Sequence, residues 1–147
     1  MKIFIDTSEK QPWTFDRYEV ETEPKNIFTG DYTLEGFEEE LCIERKSCVS
    51  ELANNITTNR FANELERMLD FKYRYLILEF DYGHIDGFPE NSNIPSYLRQ
   101  KSRVKGPFII KSLTKIMSKY NIHVLPCSNR LYAEHVAYSI MKDLYRE

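Results

Sequence analysis

No apolar run in this 147-residue chain approaches the roughly 20 residues that a membrane span requires, and no repeat or low-complexity tract interrupts it. Cysteine is scarce. Cys42, Cys48 and Cys127 are odd in number and show no C-x-x-C spacing, so neither a disulfide framework nor a zinc site is indicated. The three histidines, His84, His123 and His135, are scattered, and none has a partner at a metal-ligand spacing. The first residues are not those of a secretory leader, because Lys2, Asp6, Glu9 and Lys10 interrupt the apolar ones. These absences point to a cytosolic protein. A surplus of positive charge is missing too, the formal net charge being −3. What is present, 41% hydrophobic and 29% charged residues over 147 positions, suits one globular domain spanning residues 1–147.

Within that ordinary composition one short pattern stands out. In Leu41-Cys42-Ile43-Glu44-Arg45-Lys46-Ser47, extended geometry sends alternate side chains to opposite faces. Glu44 and Lys46 then share a face with Cys42, while Ile43 and Arg45 point away. Upstream, Gly30-Asp31-Tyr32-Thr33-Leu34 reads as a second short strand, joined to the first through the polar turn 35–40. Paired as a hairpin, the two runs carry Asp31 alongside Glu44.

Two carboxylates and a lysine are what a metal-dependent phosphodiester hydrolase needs. A hard cation such as Mg²⁺ takes carboxylate, carbonyl and water oxygens, with only one or two protein carboxylates. Such an ion polarises a phosphoryl oxygen and lowers the pKa of bound water, and Lys46 beside it would stabilise added negative charge. Beside carboxylates the lysine stays protonated, an electrostatic group more than a base. Glu-x-Lys on a strand is equally the pattern of a solvated cross-strand ion pair, and Asp after Gly is a turn signal.

The wider context selects between these readings. Gly30-Asp31-Tyr32, Ile43-Glu44-Arg45-Lys46-Ser47 and Ser50-Glu51-Leu52 resemble the G-D-x(n)-E-R-K-x-x-x-D signature of the XPF-type structure-specific endonucleases, relatives of the restriction-endonuclease-like nucleases. Ile3 to Lys10 is similar to the family's first strand, which ends in D-x-R-E, with Asp6 and Glu9 matching and Ser8 in place of the arginine. Arg60-Phe61 followed by Glu64 resembles the opening of the next helix, Leu76 to Asp81 the buried strand after it, and residues 122–127 and 130–145 the last strand and helix. The family's final aspartate falls where this chain has Ser50, with Glu51 one residue later.

The resemblance implies an α/β, restriction-endonuclease-like mixed sheet flanked by helices, and a DNA endonuclease acting on branched or flapped DNA with Mg²⁺ or Mn²⁺. Asp31 and Glu44 would hold the metal, with Asp6 and the Arg45 carbonyl as further ligands. Lys46, Arg45 and Glu9 would complete the catalytic set, and Glu51 and Arg60 would be accessory. It further implies a stand-alone nuclease domain without a helix-hairpin-helix module, and a homodimer built from the last helices. A non-catalytic DNA-binding or scaffolding subunit is the alternative, since the family contains partners with broken sites.

A net charge of −3 is unfavourable for binding phosphates, so distribution matters more than the sum. Positive charge gathers at Arg99, Lys101, Arg103 and Lys105, at the end of a glycine- and proline-punctuated stretch between Tyr82 and Pro107. That stretch reads as a DNA-contacting loop, or as a solvated one. Periodicity elsewhere predicts a strand over 2–6 and an extended piece within 20–28. It also predicts a helix capped by Ser47 or Ser50, a helix over 59–72 and a strand over 75–80. Further helices are expected around 108–117 and over 130–145, with a strand at 122–125 between them.

Overall fold

The computed structural model describes residues 1–146. Six strands form one mixed sheet: β1 (Lys2–Asp6), β2 (Glu21–Lys25), β3 (Tyr32–Leu34), β4 (Leu41–Lys46), β5 (Tyr73–Leu78) and β6 (His123–Pro126). Their spatial order is β2-β1-β3-β4-β5-β6. The strands β1, β3 and β4 pair antiparallel in succession. Beyond β4 the pairing turns parallel, with Glu44 opposite Leu76 and Lys46 opposite Leu78 on β5. The edge strand β2, wholly exposed, lies parallel to β1.

Side-chain alternation along β4 decides what each face of the sheet becomes. Cys42 enters one apolar layer together with Leu76 and Leu78 of β5. That face is covered by α1 (Val49–Asn55), α2 (Asn59–Met68), α3 (Tyr82–Asp86) and α5 (Gly106–Tyr120), through residues such as Leu52, Phe61, Leu65, Ile85 and Ile109. Leu41 and Ile43 enter the other layer, with Trp13, Phe15, Tyr32 and the small residues Ala133 and Ala137 of α6 (Arg130–Arg146). Each large aliphatic side chain so removed from water contributes about 2 kcal/mol. Glu44, Arg45 and Lys46 continue the same alternation past the end of the apolar stretch, which is why three charged residues stand buried in succession.

Several boundaries differ from expectation. Helix α1 starts at Val49 with Cys48 as its cap, and Glu51 accepts hydrogen bonds from the Ser47 backbone N–H (2.8 Å) and hydroxyl (3.4 Å). Neither Ser47 nor Ser50 caps it. Helix α2 stops at Met68 and β5 begins at Tyr73, so residues 69–72 are a turn. The Thr58 hydroxyl accepts from the Phe61 N–H at 3.2 Å and starts α2. The stretch expected as a loop contains α3 and the single turn α4 (Ser96–Arg99). No helix among the described residues is long and apolar enough to cross a membrane.

Candidate active site

The hairpin geometry that joins β3 to β4 builds the site. The Asp31 N–H donates to the Ile43 carbonyl (2.7 Å), and Asp31 Oδ2 accepts from the Arg45 N–H at 2.8 Å. Gly30 makes the approach achievable: its φ of +89° is one that side-chain-bearing residues rarely adopt, and a Cβ there would sit 2.6 Å from Cys42 Sγ. Asp31 is thereby brought against Glu44, and the two carboxyl groups share a hydrogen bond.

Lys46 lies on the same face, its Nζ 3.1 Å from Glu44 Oε2. It also donates to Asn55 Oδ1 at 2.7 Å and sits 5.0 Å from the centre of the Phe61 ring. These groups line a cleft of about 260 Å³, completed by Glu9, Glu51, Thr58, Arg60 and Glu64. Arg60 stands exposed at its edge, and Glu51 holds the start of α1 while contributing negative charge near Lys46.

Burial drives the electrostatics. Desolvation pushes the Asp31 carboxyl up to about 7, against hydrogen bonds from Glu44 and the Arg45 backbone that pull it down, with Glu9 and Glu64 adding repulsion. Glu44 is raised well above the ordinary carboxylate range, first by desolvation and then by Asp31 and Glu64. For Lys46, burial acts to lower the pKa, but Glu44, Glu51 and Glu64 outweigh it and the group stays above its ordinary value. The lysine is a fixed cation.

Such a pair of oxygens, buried together and disfavoured as anions, is a donor set that a hard divalent cation would relieve. Among the described residues no three His, Cys, Asp or Glu side chains come together as an ion-binding group. Asp31 and Glu44, in contact within the cleft, are the residues that could hold such an ion.

The opposite face of β4 serves a different purpose. Arg45 donates from Nε to Glu79 Oε2 (2.7 Å), and from one terminal nitrogen to Glu9 Oε2 (2.9 Å) and the Gln11 carbonyl (3.0 Å). Trp13 Nε1 donates to the same Glu79 oxygen at 2.6 Å, and the Tyr32 hydroxyl donates to Glu9 Oε2 at 2.9 Å while accepting from the Trp13 N–H. Arg45 and Glu9 therefore brace the sheet behind the carboxylate pair. Asp6 stands apart from the cleft: its Oδ1 accepts from the Ile27 N–H at 2.8 Å and its Oδ2 from the Ser8 hydroxyl. Each oxygen thus accepts one bond that shapes the chain after β1.

Of the expected basic stretch, Lys101, Arg103 and Lys105 are exposed, whereas Arg99 is half-buried with Nε 3.7 Å from Glu90 Oε2. Residues 91–95 of the same segment face the start of α1 across a second cleft of about 660 Å³. Asn55 and Thr58 of the cleft were not picked out from the sequence, and Glu64, named there only beside Arg60-Phe61, was not expected as a site residue. Glu64 carried a signal, standing four residues after Arg60 and so on one face of a helix. Asn55 carried none.

A mixed sheet with helices on both faces and a carboxylate pair with a lysine at the end of a central strand defines an α/β fold of the XPF nuclease type. The chain belongs to the ERCC4 domain family, whose model matches residues 5–140. It is 33% identical over 98 residues to the DNA repair protein RAD1 of Saccharomyces cerevisiae, a match covering 62% of this chain and 8% of that one. The XPF protein of Aeropyrum pernix superposes with a TM-score of 0.75 at 16% identity, covering 100% of this chain and 66% of that one. The same archaeal protein in complex with DNA gives a TM-score of 0.66 at 15% identity, covering 99% and 65%. The chain thus spans less than a tenth of the yeast relative and about two thirds of the archaeal chain.

Proposed function

We propose that this protein is a Mg²⁺- or Mn²⁺-dependent DNA endonuclease that hydrolyses phosphodiester bonds in branched, flapped or otherwise structured DNA. The observation that carries the proposal is the Asp31–Glu44 carboxylate pair with Lys46 Nζ 3.1 Å from Glu44, on one face of β4 in one cleft. Membership of the ERCC4 family and the fold shared with an archaeal protein whose structure includes DNA support it.

Asp31 and Glu44 would hold the cation, which when bound supplies an activated water and polarises the phosphoryl oxygen. Lys46, kept charged by its carboxylate neighbours and aimed by Asn55, would stabilise the negative charge that builds on the phosphate as water attacks. Arg60, exposed at the mouth, would hold a neighbouring phosphate. Lys101, Arg103 and Lys105 would follow the backbone farther away, since phosphate neutralisation supplies most non-specific affinity. Association through α6, which exposes Leu131, Tyr132 and Tyr145, would pair two copies.

The test is a panel of flap, fork, nicked and linear DNAs incubated with Mg²⁺ and Mn²⁺ separately. We expect cleavage of structured DNA that disappears in Lys46→Ala. Binding without cutting under either metal would instead mark a non-catalytic subunit.

A further inference from the structure

Phe28 is the most exposed of the large apolar side chains, with 83% of its surface open to solvent. It lies three residues before Asp31 in a chain whose other large aromatics near that segment, Trp13, Phe15 and Tyr32, are fully buried. An exposed ring of this size loses nothing by burial and gains by it. Its position is also fixed from beneath. The Arg67 guanidinium lies over the ring, its carbon 4.6 Å from the centroid, and Arg67 Nε donates to Thr29 Oγ1 at 3.0 Å. One face of the Phe28 ring therefore carries a tethered cation and the ring remains open to solvent.

The ring borders a cleft of about 560 Å³, whose apolar walls include Ile27 and Phe71. Glu38, Glu39 and Asp70 also line it. Lys25 and Arg67 line it too, with Lys25 Nζ 3.7 Å from Glu38, so the cleft holds no surplus of positive charge for a phosphate and the part of a nucleic acid suited to it is an uncharged base. The cleft and the carboxylate site are neighbours along α2: Arg60, Phe61 and Glu64 line the active site, and Arg67 lines the second cleft. Glu64 and Arg67 stand three residues apart on α2, roughly 4.5 Å along the helix axis, and Phe28 precedes Asp31 by three residues in the chain. A strand passing Asp31 and Glu44 therefore runs beside the cleft that Phe28 borders.

We propose that Phe28, backed by Arg67, is a stacking platform for an unpaired base adjoining the scissile phosphate. The bound DNA would then be one with a single-stranded segment at the site of cleavage. A base paired within a duplex has both faces covered by its neighbours and cannot use the ring. Stacking on an aromatic side chain is sequence-tolerant because every base presents a flat π-face, so the platform selects unpaired structure without selecting sequence. The inference rests on the nuclease reading above and gives that site its substrate class.

The test compares wild type, Phe28→Ala and Phe28→Trp by fluorescence anisotropy, on a fully paired duplex and on the same duplex carrying a short single-stranded extension. Ca²⁺ is supplied to neutralise the carboxylate pair. Because Phe28 is exposed, its replacement leaves the core intact. Phe28→Ala should weaken binding of the extended DNA roughly 10-fold and leave the paired duplex unaffected. Phe28→Trp should retain binding, with indole emission quenched by the extended DNA and, by comparison with wild type, none of the change arising from buried Trp13. Equal binding of extended DNA by wild type and Phe28→Ala, or unquenched emission in a complex that anisotropy shows has formed, would overturn the platform alone. Failure of wild type to bind either DNA would overturn the nuclease reading together with it.

Discussion

Glu79 Oε2 stands 2.7 Å from Arg45 Nε and accepts at the same time from Trp13 Nε1, so a single buried oxygen joins β4 to the segment that follows β1. Arg45 in turn reaches Glu9 and the Gln11 carbonyl, and its side chain is almost wholly buried. A guanidinium can meet acceptors in several directions from one plane, which an ammonium cannot. Arg45→Lys is expected to cost about 2 kcal/mol, because a single ammonium cannot keep the buried charge-assisted bonds to both Glu79 and Glu9. Arg45→Ala should cost about 3–5 kcal/mol, since Glu9 and Glu79 both lose their counter-charge. Urea denaturation measures both, and equal stability of wild type and Arg45→Ala would show that the network does not hold the fold.

Lys46 depends on Asn55 for its aim. With Asn55→Ala the lysine keeps Glu44 as partner but loses the 2.7 Å acceptor that fixes its position. Cleavage at saturating DNA should fall about 10-fold, less than the roughly 10²- to 10³-fold expected for Lys46→Ala. The loss belongs in kcat, and Asn55→Asp, which restores an acceptor, should recover part of it. A change confined to KM would place Asn55 in DNA binding instead.

Protonation of Asp31 sets a pH dependence with a definite sign. Its carboxyl titrates near 7 in the folded protein, chiefly because of desolvation, against about 3.9 for an unperturbed aspartate. Below the lower value both states are protonated. Between the two values the folded state holds the extra proton, so stability declines as pH rises and levels off above 7. In EDTA the melting temperature should fall between pH 5 and 8. Mg²⁺ should restore more of it at pH 8 than at pH 5, because binding must displace the proton. Differential scanning fluorimetry across that range checks both slopes, and a melting temperature that rises with pH in EDTA would contradict the assignment.

Gly30→Ala tests the close approach beneath the site. The new methyl meets Cys42 Sγ at 2.6 Å and the Ile43 carbonyl oxygen at 3.2 Å, on a backbone with φ of +89°. A cost of about 1–3 kcal/mol is expected, with loss of cleavage exceeding the loss of fold because Asp31 follows directly. Gly36→Ala is the control: it shares the positive φ of +92° but has open space around it and no contact with the site. Matching losses of activity in the two variants would remove the argument for close approach.

The parts of the site that lie within one element were legible in the sequence. Alternation alone placed Glu44 and Lys46 on one face and Arg45 on the other, and the turn between two short apolar runs brought Asp31 alongside. Of the residues supplied by the covering helices, Glu51 and Arg60 were legible through the motif resemblance, and others were not. Asn55 and Glu64 reach the cleft because α1 and α2 pack on the sheet with a particular rotation, which the spacing of apolar residues fixes only to within a side chain or two. Asp6 illustrates the converse. The resemblance set it among the metal ligands, yet it lies outside the cleft lining, and its oxygens accept from the Ile27 N–H and the Ser8 hydroxyl. At the start of α1, the strong capping residues Ser47 and Ser50 gave way to Glu51, which reaches back to the Ser47 N–H and leaves the Ncap position to Cys48.

The chain between Phe88 and Gly106 closes on itself, the Gly106 N–H donating to the Phe88 carbonyl at 3.0 Å where the segment leaves and rejoins the body of the protein. A segment clasped at its own root is a cassette. Its length and charge can change at a closure cost that grows only slowly with length, while the strand register that holds Asp31, Glu44 and Lys46 stays as it is. Transplanting the segment from one relative to another would therefore change this surface and its charge while leaving the strand register of the carboxylate cleft as it is.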